Sequence, residues 1–220
     1  MELFQGIMSR KSCRAYKSTP ILTDVMNRVL EAACRSPSYT NTQPWDVAVV
    51  RGDKTRELSL ILCGLAESGA PISADIPLPT AWPPDLDQRS REHGARRFKA
   101  LGVERESEAQ RKELRMMNYR FYGAPSVIFI FIDSSLTTWS VFDAGLFAQT
   151  LCLAAHSVGL GTCLQASLAW YPDAVRQFLG YPQTKRLVTG LSIGYPDPDA
   201  RINAYVSTRA GLSEFVRHYG

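Results

Sequence analysis

Two short stretches hold the densest chemistry in the chain. Arg10-Lys11-Ser12-Cys13-Arg14 gathers three cations and a hydroxyl within five residues, at the end of an apolar N-terminal segment. Guanidinium and ammonium groups so placed suit a phosphate or the electron-rich heteroatoms of a ring. A solvated charge cluster has the same composition. Ser36 to Trp45, SPSYTNTQPW, puts six hydrogen-bonding side chains in a row, Ser38 to Gln43, between Pro37 and Pro44. Proline fixes φ and turns the preceding residue away from helix. The expectation is a defined, extended loop presenting hydroxyls and amides to something polar, or else an ordinary surface connection.

Two other patterns have the residues of a known motif without its setting. Gly159-x-Gly161 lacks the third glycine of a dinucleotide fingerprint, since Leu164 stands there, and a helical pattern precedes it instead of a strand. Gly190-Leu191-Ser192-Ile193-Gly194 matches the G-x-S-x-G of a hydrolase nucleophile elbow, with Asp197 and His218 downstream. An elbow needs a helix directly after its serine, and Tyr195-Pro196-Asp197-Pro198 does not start one. Ser192 is therefore expected inside a strand, as a passive side chain. The five cysteines (Cys13, Cys34, Cys63, Cys152, Cys163) include no C-x-x-C, and His93, His156 and His218 share no ligand spacing with them. The cysteines read as buried small hydrophobes rather than a disulfide set or a metal centre.

The elements that must position these residues mix helix and strand. Residues 1–10 read as a short helix with Leu3, Phe4, Ile7 and Met8 on one side. Leu22 to Arg35 is helical, capped by Thr23 or Asp24, with Val25, Val29 and Ala33 on one face. Asp46 to Arg51 is a strand of the fully buried type. Asp53 to Glu67 is a helix with Leu58, Leu62 and Leu65 as its stripe. Five prolines interrupt Ser68 to Leu86, and Asp87 to Arg120, rich in Arg, Lys and Glu, reads as one or two solvated helices. An insertion of this length suggests a lid or lobe at about 68–120 within one domain. Trp82, Phe98, Met116, Met117, Tyr119 and Phe121 would line a pocket beneath it or form its own small core. Pro125 to Asp133 is the central strand, and Val141 to Val158 the most apolar helix, buried on most sides. Gly159 to Cys163 turns the chain, Tyr171 to Leu179 is a helix, Arg186 to Tyr195 a strand, and Leu212 to Tyr219 a short amphipathic end. The order is that of mixed α and β around one sheet.

At 220 residues, with 45% hydrophobic and 21% charged content, the composition is that of a soluble globular protein. No run approaches the ~18 apolar residues of a membrane-spanning helix. The apolar N-terminal run is cut short by Arg10 and Lys11, unlike a secretory signal, so a cytoplasmic protein is the expectation. The net charge of +4 is spread rather than gathered into a stripe, which suits an anionic small ligand better than nucleic acid.

Together these motifs resemble the nitroreductase family over nearly the whole chain. RKSCR-x-Y is similar to the family's R-R-S-x-R-x-F, and PSYTNTQPW to its P-S-x-x-N-x-Q-P-W with a V-x-V-V strand following. NYRFYGAP, GLGTC-x-Q and IGYPD…N…R come in the family's order, and NYRFYGAP and LGTCLQA most resemble its nitrobenzoate-reductase branch. The resemblance implies an α+β, three-layer fold: a mainly antiparallel sheet flanked by helices, with a C-terminal extension swapped between the subunits of a homodimer. It also implies FMN at the subunit interface, NADH or NADPH as donor, and a nitroaromatic or quinone-like acceptor, the two bound alternately in ping-pong fashion.

By similarity, Arg10, Lys11 and Ser12 hold the phosphate and ribityl chain, Arg14 faces the pyrimidine edge, and Arg209 completes the phosphate clamp. Pro37, Ser38, Tyr39 and Asn41 reach the same flavin from the other subunit, and Asn118 contacts the far side of the ring. Cys163, Leu164 and Gln165 pack against the ring and offer a backbone N–H to N5. The flavin then carries the chemistry, with Arg14 in electrostatic support and no protein nucleophile or base. Lys11, Cys163, Gln165 and Ser207 depart from residues found in some relatives. Alternatives are reductive dehalogenation or other flavin chemistry on the same fold, flavin binding without turnover, and a serine hydrolase at Ser192.

Overall fold

The strand Ser126–Asp133 (β2) sets the layering, because its alternating side chains are buried on both faces. Ile128, Ile130 and Ile132 meet Met26 and Val29 of α2 (Thr23–Ala33) and Phe147 and Leu151 of α6 (Thr138–Ser157). Val127, Phe129 and Phe131 meet Leu58 and Leu62 of α3 (Asp53–Glu67), Met116 and Tyr119 of α5 (Glu108–Tyr119) and Val175 of α7 (Pro172–Leu179). The sheet runs β1 (Asp46–Arg51), β2, β4 (Lys185–Gly194), β3 (Gly161–Gln165), with every pairing antiparallel. Helix, sheet and helix make the expected three layers. This computed structural model describes residues 2–104 and 106–220. Met1, in the expected first helix, and Arg105, in the expected 87–120 stretch, lie outside the described residues.

The structure corrects several local expectations. β1 buries only Val50 fully, because it is an edge strand paired on one side. The cap of α2 is Leu22, without a side-chain hydrogen bond, so the helix is held by its apolar face rather than by Thr23 or Asp24. The turn after α6 ends at Leu160, and residues 161–165 continue as a strand once they can pair with β4. Thr55 is buried on α3 where Leu65 is only half-buried. Met116, Tyr119 and Phe121 line no lobe of their own; they join the core beneath the sheet, while Trp82 is exposed. Cys34 is exposed and Cys63 half-buried, unlike the other three cysteines.

The proline-rich stretch is fastened through Asp75. Its carboxylate accepts the buried Arg176 guanidinium at 2.5 Å and the Leu187 N–H at 2.7 Å. α4 (Pro84–Leu101) follows, then α5. No helix of the described residues is long and apolar enough to cross a membrane.

Candidate functional site

The cationic segment leaves α1 (Leu3–Ser9) and lies flat along β3. The Cys13 N–H donates to Thr162 O at 2.9 Å, and Ser12 bridges Thr162 in parallel. A Cβ on Gly161 would stand 2.7 Å from the Cys13 Cβ, so this approach requires glycine. From the other side Asn203, buried in the short helix α8 (Arg201–Ala204), completes the clamp. Its Oδ1 accepts the Arg14 N–H at 2.7 Å, and its Nδ2 donates to Ala15 O at 2.8 Å and Asp197 O at 2.9 Å. Its own carbonyl accepts from Lys11 Nζ at 2.5 Å. The backbone of RKSCR is thus fixed, while Arg10, Lys11 and Arg14 have no carboxylate partner among the described residues.

On β3, Cys163 and Gln165 are buried and Leu164, between them, is 44% exposed. Strand alternation turns Leu164 outward as the one open side chain of the strip. The Gln165 amide is used inside the protein. Its Nε2 donates to Asn118 O at 2.9 Å, and its Oε1 accepts the Ser192 hydroxyl. Asn118 Oδ1 in turn accepts the Tyr122 hydroxyl at 3.0 Å, and its Nδ2 donates back to carbonyls of α5. Ser192 sits fully buried within β4, as its context predicts, with no helix following it.

Phe121 and Tyr122 both have left-handed φ, 53° and 54°, where the chain bends from α5 into β2. Such backbone is sparsely populated for bulky side chains and marks a place the surrounding structure must hold. Burial pushes the Tyr122 hydroxyl and the Cys163 thiol up, and the Arg14 and Arg97 guanidiniums pull both back. The Arg97 Nε is buried with no hydrogen-bond partner. Two cations therefore act on this strip, one from the RKSCR segment and one from α4.

The polar loop is coiled rather than extended. Tyr39–Asn41 forms a single tight turn, and Thr40, Asn41 and Gln43 have φ of 48°, 59° and 48°. Ser38 Oγ accepts the Gln43 N–H at 2.9 Å, and the Asp143 carboxylate accepts the Tyr39 N–H at 3.2 Å. The Tyr39 ring stacks on Trp139. Pro37, Tyr39 and Asn41 remain exposed. This loop caps the N-terminal end of α6, whereas Ser9, at the entrance to the cationic segment, bonds His156 near the other end. At 1.5 Å per residue, Asp143 and His156 are about 20 Å apart along the helix. One chain therefore does not bring Pro37, Ser38, Tyr39 and Asn41 to Arg10, Lys11, Ser12 and Arg14.

Asn118, Cys163, Leu164 and Gln165 do form one strip. Arg209 lies apart from it, curled onto Ser207 and Thr208 in a cleft against α4. Sequence reasoning assigned no role to Asn203, Tyr122 or Arg97. Asn203 and Tyr122 fall within segments that carry the resemblance, and Arg97 has no local signal at all.

Comparison with known proteins bears on the family and the fold. The sequence model described as "Nitroreductase family" matches residues 7–195. A 4-nitrobenzoate reductase of Pseudomonas putida is 32% identical over 214 residues, covering 97% of this chain and 94% of that protein. Nitroreductase NfnB of Mycolicibacterium smegmatis is 35% identical over 212 residues, 96% of this chain and 90% of that protein. The crystal structure of the FMN-dependent nitroreductase NfnB from Mycobacterium smegmatis in complex with NADPH superposes with a TM-score of 0.94, at 33% identity and with both chains fully covered. With the motifs, the fold and these relatives in agreement, the chain belongs to the nitroreductase family.

Proposed function

We propose that the protein is an FMN-dependent oxidoreductase that takes reducing equivalents from NAD(P)H and passes them to nitroaromatic or quinone-like acceptors. The observation that carries this reading is the RKSCR segment, held rigidly on β3 with its cations unopposed and beside an outward-facing Leu164. A cationic segment of fixed backbone beside an exposed apolar side chain suits a phosphorylated aromatic cofactor. The relatives named as FMN- and NADPH-dependent nitroreductases support the same assignment.

Arg10, Lys11 and Ser12 would hold the flavin phosphate and ribityl chain, joined by Arg209 when the tail closes on them. Arg14 supplies fixed positive charge to the electron-rich edge of the ring, and Leu164 packs against its face. Cys163, Gln165 and Asn118 keep that strip in place through the buried amide chain to Ser192 and Tyr122. Bound FMN supplies the hydride-transfer chemistry. Within the segment 68–120, α4 buries no residue of its own and would serve as the lid that shapes the acceptor pocket, while α5 belongs to the core.

Pro37, Ser38, Tyr39 and Asn41 belong to the site in a homodimer, contributed by the second chain. The separation of the two half-sites along α6 supports this. So does apolar surface without a partner: Leu3, Phe4 and Met8 of α1, and Val206, Leu212, Phe215 and Tyr219 of the tail, are exposed. The tail is the element that crosses to the partner subunit. Five free cysteines suit a reducing, cytoplasmic setting.

The test is an absorption spectrum of purified protein before and after anaerobic NADH or NADPH. A flavin band that bleaches and recovers on adding a nitroaromatic is the expected result. Colourless protein that cannot be reconstituted with FMN would overturn the reading, and flavin that neither nucleotide bleaches would leave a binding protein without turnover.

A further inference from the structure

α4 carries four arginines, and carboxylates answer three of them. Arg89 pairs with Glu214 at 2.9 Å, Arg91 with Asp87 at 2.7 Å and Arg96 with Glu92 at 3.4 Å. The fourth, Arg97, is half-buried and pairs with no carboxylate among the described residues. Its Nε is shut off from solvent without a hydrogen-bond partner. A charged donor left unanswered inside a protein is costly, and it marks a place where a further group belongs.

The fold turns Arg97 toward the β3 strip. His93, Arg97 and Ala100 recur at i, i+4 and i+7, on one face of α4. The tail is fastened to that face on either side of Arg97. The Tyr205 hydroxyl meets His93 Nδ1 at 3.1 Å, and Arg201 Nε donates to Ala100 O at 3.0 Å. Between Arg201 and Tyr205 lies Asn203, whose Oδ1 accepts the Arg14 N–H at 2.7 Å. Arg97 therefore stands on the side of α4 that meets the RKSCR segment. Its charge reaches the strip beside that of Arg14, since both guanidiniums pull down the Cys163 thiol and the Tyr122 hydroxyl that burial pushes up.

Two anionic parts of the flavin already have cations of their own in the reading above. Arg10, Lys11 and Arg209 serve the phosphate, and Arg14 serves the electron-rich edge of the ring. Arg97 comes from neither of those segments. It is carried by α4, which buries no residue of its own and is the element placed over the acceptor. A carboxylate suits it, because a guanidinium offers two parallel N–H donors in one plane.

We propose that Arg97 receives an anionic substituent of the acceptor, a carboxylate on the ring that bears the nitro group, and so selects acidic over neutral aromatic acceptors. This assignment rests on the functional reading above and adds to it a substrate class and the residue that recognises it.

Oxidised holoenzyme is titrated by calorimetry with benzoate and with benzamide, which have nearly the same shape and differ in charge. Benzoate is expected to bind at least about tenfold more tightly, as one charge-assisted contact implies. Arg97→Ala should abolish that selectivity. It should also lower the ratio of kcat/KM for 4-nitrobenzoate over 4-nitrobenzamide by about tenfold relative to wild type, a comparison in which the acceptors' own ease of reduction cancels. Arg97→Lys should keep part of both, since it retains the charge and loses the paired donors. Equal binding of benzoate and benzamide by the wild-type holoenzyme overturns the proposal, as does selectivity that survives Arg97→Ala. Loss of FMN from that variant would make the flavin the occupant and overturn it too. Flavin reduction by NADH is followed separately by stopped flow, and a tenfold slowing there would assign Arg97 to the dinucleotide instead. Flavin that neither nucleotide bleaches, with benzoate still preferred, would sink the functional reading and leave Arg97 as the carboxylate-binding residue.

Discussion

Asn203 does for the cationic segment what a neighbouring strand does elsewhere: it answers backbone groups on both sides of Arg14. Asn203→Ala would leave the Arg14 N–H and the Ala15 and Asp197 carbonyls without this partner in a buried place, at a cost of roughly 2–3 kcal/mol in stability. It should also weaken FMN binding, because Arg10 to Arg14 would no longer be presented in one conformation. Asn203→Asp keeps the acceptor for Arg14 but sets a carboxylate oxygen against the Ala15 and Asp197 carbonyls, so it should cost at least as much as alanine. Urea unfolding of flavin-free protein and fluorescence titration with FMN read the two effects separately. Unchanged FMN affinity in the alanine variant would show that the segment needs no such support. The residues of RKSCR and PSYTNTQPW were legible in the sequence because their chemistry is concentrated locally. Asn203 was not, since its contact with Ala15 spans 188 positions and its type is ordinary in a loop. Gln165 and Asn118 were found by resemblance, but their use as an internal amide chain depends on Ser192, which only the strand register brings within reach.

At the scale of elements, legibility follows the same division between local and distant causes. The alternation in β2 declares two buried faces, and three layers follow from it. The edge position of β1 and the existence of β3 do not show, because strand order and pairing depend on partners far along the chain. The joint between α4 and the tail is of this second kind, and it has a pH dependence. His93 is depressed by burial and by four arginines, so in the folded protein it stays neutral at pH values where the unfolded chain, near the ordinary 6.5, already binds a proton. The unfolded state then holds more protons, so stability rises with pH through that window and stays at its lower level below it. His156, depressed by burial and Arg10, acts in the same direction. Asp173 is held low by Arg176 and contributes only at more acidic pH. The thermal midpoint should therefore be lower at pH 5 than at pH 7.5, and His93→Gln should narrow that difference. An identical difference in the variant would mean that the α4–tail joint is open enough in solution for His93 to titrate freely.

For the whole molecule, the polar loop is fastened to Asp143 and the entrance of the cationic segment to His156, positions about 20 Å apart along α6, and the proposed homodimer makes these two halves of one site. The consequence can be tested without a structure of the assembly. Arg14→Ala damages the RKSCR half and should slow flavin reduction with the fold intact. Asn41→Ala damages the loop half and should weaken FMN binding. Each homodimer then carries two damaged sites. If every site takes one half from each chain, a heterodimer of the two variants, isolated with two different tags, contains one site with both lesions and one with neither. It should recover about half of the wild-type turnover and hold one tightly bound FMN per dimer, by the symmetry of a two-fold assembly. If instead each site were built within one chain, both sites of the heterodimer would remain damaged, and its turnover would be the mean of the two parents. Recovery to half therefore requires the crossing of chains, and a mean of the parents excludes it. The same preparation also tests the exposed apolar surface of α1 and the tail, since no heterodimer can be isolated unless the chains associate.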